Sequence, residues 1–234
     1  MRHCLVTAAL TIALQGAQVC LSQAGGPASL QVPATGSTAV FSVVPIVGAT
    51  AEITPQLSGG VYGLYSTDPQ VEILCVAAPF RLNSVFTVNP IYEFISPPPD
   101  GNGHKERESQ VNIALDSGFA WKNLHISDRN RVGRRLVDYA ADSTRYRNLP
   151  SVTYLLPGKT KLSLFHWQEF FYEGSVARWD QHHLAAGLQR PLGGHLLTQL
   201  YYFRLAATGR GDIHALGLTL IYNHNQPLFH QAAK

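Results

Sequence analysis

Charge is scarce in this 234-residue sequence, and so are cysteine and long apolar runs. Charged residues make up 14% of the chain, against roughly 25% in ordinary soluble domains, and the formal net charge is only +3. So weak a field excludes a nucleic-acid partner held by its phosphate backbone. The 20 glycines and 14 prolines exclude an all-helical bundle, while 3 Trp, 10 Tyr and 10 Phe exclude an intrinsically disordered chain.

The N-terminus has the three parts of a secretory signal peptide. Arg2 gives a positive start, an apolar run follows at 5–14, and the small residues Ser22 and Ala24 fit the positions before a cleavage site. The run is too short for a membrane-spanning helix, which needs about 20 residues, and no later stretch of the chain is apolar enough. We therefore predict an exported protein cleaved after residue 24. Of the three cysteines only Cys75 then remains, so the mature chain forms no intramolecular disulfide.

From about residue 38 the chain divides into segments of about ten residues, separated by turn signals such as Pro157-Gly158. Large apolar residues alternate with smaller ones inside these segments. In the last segment Leu216, Leu218 and Leu220 share one face, while the residues between them are mostly small. A period of two is typical of a β-strand whose faces meet different surroundings.

A soluble sandwich and a membrane barrel both give this alternation, but other features favour the barrel. The segments are long for soluble strands, aromatic residues cluster near segment ends, and short turns alternate with longer connections. We therefore predict an all-β fold: a closed antiparallel transmembrane β-barrel of about 10–12 strands in the outer membrane. A soluble periplasmic β-sandwich binding protein is an alternative. The predicted divisions are a signal peptide (1–24), a loose lead-in (25–36), the barrel domain (37–224) and a polar C-terminal tail (225–234).

Six arginines lie within 19 residues, between positions 129 and 147. An arginine facing lipid near the bilayer midplane costs about 2–4 kcal/mol, so most of them must face the lumen or the rim and need acidic partners there. The favoured interpretation is an ion-paired plug, and the alternative is a constriction that attracts a small anionic solute. The predicted lumen polar cluster consists of Glu93, Glu106, Glu108, Arg129, Arg131, Arg135, Arg145, Arg147, Glu169 and His183.

The order of several motifs resembles the domain of unknown function 2490 family of bacterial outer-membrane proteins. The stretch runs from about Val85 to His224, and its motifs are Ser127-Asp128-Arg129-Asn130-Arg131-Val132-Gly133-Arg134-Arg135, Thr144-Arg145-Tyr146-Arg147, Gln168-Glu169-Phe170-Phe171, Trp179-Asp180-Gln181-His182-His183 and His214-Ala215-Leu216-Gly217-Leu218-Thr219-Leu220. The resemblance implies a monomeric antiparallel outer-membrane barrel without an assigned activity. This sequence has Gly133 and His183 where the family has Glu and Arg, which thins the charge ladder of the lumen.

The last segment is similar to the signal that the barrel-assembly machinery recognises in a terminal strand. Its predicted elements are a polar residue, a glycine, an apolar residue and an aromatic residue, here His214, Gly217, Leu220 and Tyr222. The expected partners are therefore outer-membrane lipids and the assembly machinery. The tail lacks the alternation and is expected to hang free at the periplasmic end.

Catalytic and metal-binding patterns are weak. His125-Ile126-Ser127, with Glu169 elsewhere, is loosely similar to the His-x-Ser pair of lipid A deacylase barrels, which makes a lipid-modifying hydrolase an alternative. The histidines have no metal-ligand spacing, so neither a metal nor a cofactor is expected. The favoured prediction is an outer-membrane barrel of structural or small-solute channel-like role, without catalysis.

Overall fold

The computed structural model describes residues 40–67, 70–97, 99, 103, 106–138, 141–208 and 212–224. The predicted signal peptide, lead-in and tail lie outside these residues. No helix among the described residues is long and apolar enough to cross a membrane. The strands are β1 (Val40–Glu52), β2 (Ser58–Thr67), β3 (Gln70–Ala77), β4 (Phe80–Arg81), β5 (Phe86–Ser96), β6 (Glu108–Trp121), β7 (Leu124–Val137), β8 (Ser143–Leu155), β9 (Ser163–Glu173), β10 (Arg178–Leu192), β11 (Leu196–Ala207) and β12 (Ile213–His224).

Eleven of these strands close into a barrel. Each pairs with its neighbours in chain order, β3 pairs with β5, and β1 pairs with β12, so the ladder has no free edge. The two-residue strand β4 pairs with the start of β5, forms one isolated bridge from Phe80 to Leu57, and stands outside this circuit. The prediction of an all-β closed barrel of about 10–12 strands is confirmed, and the β-sandwich alternative is wrong because both of its sheets would have edges.

The prediction of an entirely antiparallel sheet is wrong at one seam. β1 and β12 pair in parallel, with Val40 opposite Ile213 and Ala51 opposite His224. Every other pair in the circuit is antiparallel, so an odd number of strands makes the first and the last run in the same direction. The start of β1 and the end of β12 therefore lie at opposite ends of the barrel.

The two faces of the sheet differ sharply in polarity and access. On β12, Leu216, Leu218 and Leu220 point outward and are 38–45% exposed, whereas Ala215 and Thr219 point inward and are inaccessible. The same alternation appears on β3 and β6. The outer face carries most of the large apolar side chains that remain exposed. A continuous outer face of large apolar side chains is unusual for a soluble protein, in which exposed apolar residues are scattered.

Apolar side chains make up most of the interior that is lined by β1, β2, β3, β11 and β12. This packed half includes Ile46, Leu64, Ile73, Tyr201 and Ile221, each at most 4% exposed. Tyr201 lies opposite a glycine on each neighbouring strand, Gly187 and Gly217. A Cβ on Gly217 would stand 1.8 Å from the Tyr201 ring, so the ring occupies the space that the glycine leaves.

Candidate functional site

The other half of the interior holds a balanced set of buried charges. Within the described residues, the structure buries five arginines and five acidic side chains, each at most 5% exposed. Their formal charges cancel. We call this set the buried charge cluster: Arg129, Arg131, Arg135, Arg145 and Arg147 with Glu93, Glu108, Asp116, Glu169 and Glu173.

Strand parity places the arginines inside. Within β7 the inward positions alternate with outward ones, so Arg129, Arg131 and Arg135 share the inner face. The next strand, β8, adds Arg145 and Arg147 by the same alternation. Their acidic partners come from the flanking strands β5, β6 and β9, whose inner faces converge on the same space.

Arg131 occupies the middle of the cluster and bridges two carboxylates. Its Nη1 donates to Oε1 of Glu93 at 2.5 Å, and its Nη2 donates to Oε1 of Glu169 at 3.1 Å. Glu93 lies on β5 and Glu169 on β9, each two strands away from Arg131 on β7. The other carboxylate oxygen of Glu169 stands 3.8 Å from Nδ1 of His183, which is fully buried. One guanidinium therefore ties together strands that do not pair with each other.

A second group of ion pairs lies towards one end of the barrel. Arg135 binds Glu108 through Nε and Nη2 at 2.8 Å each, the parallel geometry that makes such pairs strong. Its Nη1 donates to Oε2 of Glu173, also at 2.8 Å. Arg145 donates to the same Glu173 oxygen at 2.8 Å and approaches Asp180 at 3.9 Å. Glu173 thus joins the arginines of β7 and β8.

Two further arginines complete the cluster. Arg129 lies directly opposite Asp116 on β6 and donates to it through Nε and, at 3.0 Å, through Nη2. Arg147 donates to Gln110, stands 3.6 Å from Oε2 of Glu93, and has its guanidinium carbon 4.9 Å from the centre of the Phe171 ring. Nε and Nη1 of Arg147 have no hydrogen-bond partner within the described part of the chain.

The structure brings nine of the ten predicted lumen residues into the interior. The exception is Glu106, whose inclusion in the predicted cluster is wrong. Glu106 is exposed in the connection before β6, which begins at Glu108, and the inward–outward alternation of a strand does not apply there. The outward-facing Arg134, a member of the arginine run, pairs at 3.4 Å with exposed Asp142.

Two acidic members of the cluster were missed by the sequence reasoning. Asp116 follows Asn112 and Ala114 at a period of two on β6, and Glu173 follows Glu169 in the same way on β9. That parity is a signal that could have identified both.

The arrangement does not assemble the hydrolase pattern. Ser127 points inward, is 7% exposed, and its hydroxyl lies 2.6 Å from that of Ser151. Glu169 is bound to Arg131 in the middle of the barrel, and the outer face therefore carries neither group. Within the described residues, no group of three or more His, Cys, Asp or Glu is placed to hold a metal ion.

The predicted assembly signal lies on β12 with its members on both faces. Leu220 and Tyr222 point outward at 38% and 49% exposure, and Gly217 faces the interior beneath Tyr201. Half-buried His214 is hydrogen-bonded through Nδ1 to the hydroxyl of Tyr202 on β11. Recognition of this strand by the assembly machinery stays a prediction.

These observations define a class: closed β-barrels with an apolar outer face and an interior filled by apolar packing and paired charges. The chain belongs to a protein family described as "Protein of unknown function (DUF2490)", which it matches over residues 52–211. The family resemblance predicted from the motifs is confirmed. Curated proteins give no match. Among solved structures, the chain is similar to an anion-selective porin from Comamonas acidovorans, with 10% sequence identity and a TM-score of 0.35. The alignment covers 69% of this chain and about half of the porin, 52%.

Proposed function

We propose that the protein is an outer-membrane β-barrel whose interior is closed by its own side chains and whose role is structural rather than that of an open pore. One observation carries this proposal: the buried charge cluster is balanced and at most 5% exposed. An aqueous channel would leave the side chains that line it accessible to water. Here the side chains of the buried charge cluster are at most 5% exposed, and those named in the packed apolar half are at most 4% exposed.

The outer face supports the membrane location. Its mid-strand positions on β6 and β12 are large and apolar, as at Val111, Ile113 and Leu218, all of them 45–57% exposed. Such a surface suits hydrocarbon, and the closed ladder satisfies the backbone hydrogen bonds that lipid cannot. We propose that outer-membrane lipids surround the barrel and that the assembly machinery inserts it through β12.

Planar-bilayer recording of the refolded mature protein tests the closed interior. We expect no steady conductance steps from the wild type, because the side chains of the cluster are at most 5% exposed and pack against one another. The control for insertion replaces Glu93, Arg131, Arg147 and Glu169 by serine together, which empties the middle of the barrel while keeping its formal charge at zero. Conductance by this variant, with none by the wild type, supports the proposal. Steady conductance by the wild type contradicts it.

Binding of a small anionic solute is a second candidate function, favoured by one observation. Arg147 is 3% exposed, and two of its guanidinium nitrogens lack a hydrogen-bond partner within the described part of the chain. Buried donors of this kind suit a carboxylate or phosphate group. If the wild type conducts, reversal potentials in a salt gradient distinguish this role: anion selectivity that is lost in Arg147→Gln supports it.

The geometry favours a role without catalysis. Ser127→Ala is expected to leave any lipid A deacylation by purified protein at the background of an empty-membrane control. Activity that depends on the Ser127 hydroxyl would contradict this proposal.

A further inference from the structure

The outer face carries polar side chains near the middle of four neighbouring strands. β7 contributes Asp128 and Asn130, β8 contributes Asn148, β9 contributes His166 and Gln168, and β10 contributes His182. All six are half-buried on the outer surface. We call them the outer polar band.

Hydrogen bonds divide the band into two halves. In the acidic half, Asn130 and Asn148 donate to the two oxygens of the Asp128 carboxylate at 2.7 and 2.8 Å. In the imidazole half, Gln168 lies between His166 and His182, with its amide nitrogen 3.1 Å and its amide oxygen 3.2 Å from one ring nitrogen of each. Each half is a local network, and no hydrogen bond joins one half to the other among the described residues.

The band is exceptional for its place on the barrel. Mid-strand outward positions elsewhere are apolar, as at Val43 on β1, Ile113 on β6 and Leu218 on β12. Polar groups facing hydrocarbon are costly, and a carboxylate is among the costliest. Because hydrogen bonds within the band leave further donor and acceptor positions of Asp128 and the histidines open to the outside, a polar partner on this face would lower that cost.

We propose that the outer polar band is the contact surface for a second copy of this chain, related by a two-fold axis along the membrane normal between β8 and β9. This inference rests on the proposed membrane location. Such an axis keeps both copies in the same orientation and at the same depth in the bilayer. It places the left half of one band against the right half of the other, so each acidic half faces an imidazole half.

The chemistry of the two halves fits this pairing. The Asp128 carboxylate is an acceptor, and an imidazole N–H of His166 or His182 is a donor that becomes cationic when protonated. A two-fold axis makes each such contact twice. The family resemblance implies a monomer. The arrangement that favours a dimer depends on which strands are neighbours and which face is outward.

Oxidative cross-linking in native membranes tests the placement of the axis. Pro150 points outward on β8 beside the proposed axis, and its register partner on β7 is Asp128. Pro150→Cys is therefore expected to form a disulfide-linked dimer. Leu218→Cys is the control, since it also points outward but lies on β12, four strands away from β8, and is expected to stay monomeric. The native Cys75 is fully buried and does not interfere.

The mass of the detergent-solubilised mature protein, measured by light scattering with correction for bound detergent, tests the chemistry. We expect a dimer for the wild type and at least a roughly tenfold weaker dimer for Asp128→Leu, because the substitution removes its contact twice. A leucine suits lipid at least as well as an aspartate, so the variant should still fold. Folding is read separately as slower or faster migration of the unboiled sample in gel electrophoresis.

A folded wild type that is monomeric, together with a folded Pro150→Cys variant that forms no cross-link, overturns the inference, and lipid then covers the band. The inference is also overturned if the wild type is a dimer and the Asp128→Leu variant has the same dimeric mass. Loss of the boiling-dependent migration in the wild type would instead contradict the membrane barrel itself.

Discussion

Removing the central guanidinium of the buried charge cluster should destabilise the barrel strongly. Arg131 is 1% exposed and is shared between Glu93 and Glu169, so Arg131→Met leaves two buried carboxylates with one cation fewer. Among the residues that the structure describes, the other cation within reach of Glu93 is Arg147, which stands 3.6 Å away. The hydrophobic replacement fills a similar volume, so the loss is mainly electrostatic.

The magnitude follows from the cost of breaking a buried ion pair. Taking away one partner of such a pair costs about 3–5 kcal/mol because the other charge stays buried without compensation. That corresponds to a shift in the unfolding equilibrium of roughly 150- to 5,000-fold. With a urea dependence of about 2 kcal/mol per molar, the unfolding midpoint should fall by about 1.5–2.5 M.

Tryptophan fluorescence during urea unfolding in lipid vesicles measures this shift, since Trp167 lies fully buried in the barrel interior. Arg134→Met on the same strand is the matched control. Arg134 points outward, with its side chain 56% exposed, and its pair with Asp142 is open to solvent, so the expected loss is below about 1 kcal/mol.

A rescue variant separates charge from packing. Glu169→Gln, added to Arg131→Met, removes one negative charge for the positive charge that is lost and leaves Glu93 beside Arg147. This double variant should recover most of the lost stability, because no buried charge is then left without a partner of opposite sign. Equal midpoints for Arg131→Met and Arg134→Met would refute the reasoning. Failure of the double variant to recover would show that the guanidinium acts through packing.

Two further predictions concern β12 and its neighbours. Gly217→Ala should abolish or strongly reduce folded protein in the membrane fraction, because the new methyl group would collide with the Tyr201 ring, whereas Gly63→Ala, whose Cβ would be 4.0 Å from the nearest atom, should be tolerated. In thiol-labelling experiments, Leu218→Cys should react with a lipid-soluble maleimide while Thr219→Cys, which is inaccessible in the interior, should not, and labelling at 219 instead would mean that the strand register is wrong.

Which side chains of a strand point inward could be predicted from the sequence, because this requires only the alternation of residues along the strand and the cost of placing charge against lipid. The arginines of β7 and β8 and the leucines of β12 lie on the faces that the alternation indicates. Parity holds only inside a strand, however. Glu106 and Glu108 have the same parity, but the strand begins at Glu108, so one side chain is exposed and the other is buried.

The parallel seam could not be predicted in the same way. It depends on whether the number of strands is odd or even, and hence on each strand boundary in the chain. The alternation is interrupted around β4, where two paired residues lie between β3 and β5 without joining the barrel circuit. The outer polar band also escaped sequence reasoning, because its members are brought together by the pairing of β7 to β10.

The two polar features of the barrel lie back to back, and this gives the buried charge cluster a role beyond filling space. β7 has Arg129 and Arg131 on its inner face and Asp128 and Asn130 on its outer face, so a slip by one residue would exchange polar groups for polar groups. Hydrophobicity alone specifies the register of such a strand weakly. The ion pair between Arg129 and Asp116, which are directly opposite, forms in one register only. Charge pairing therefore fixes the alignment on this wall of the barrel, whereas the contrast between apolar and polar faces fixes it elsewhere.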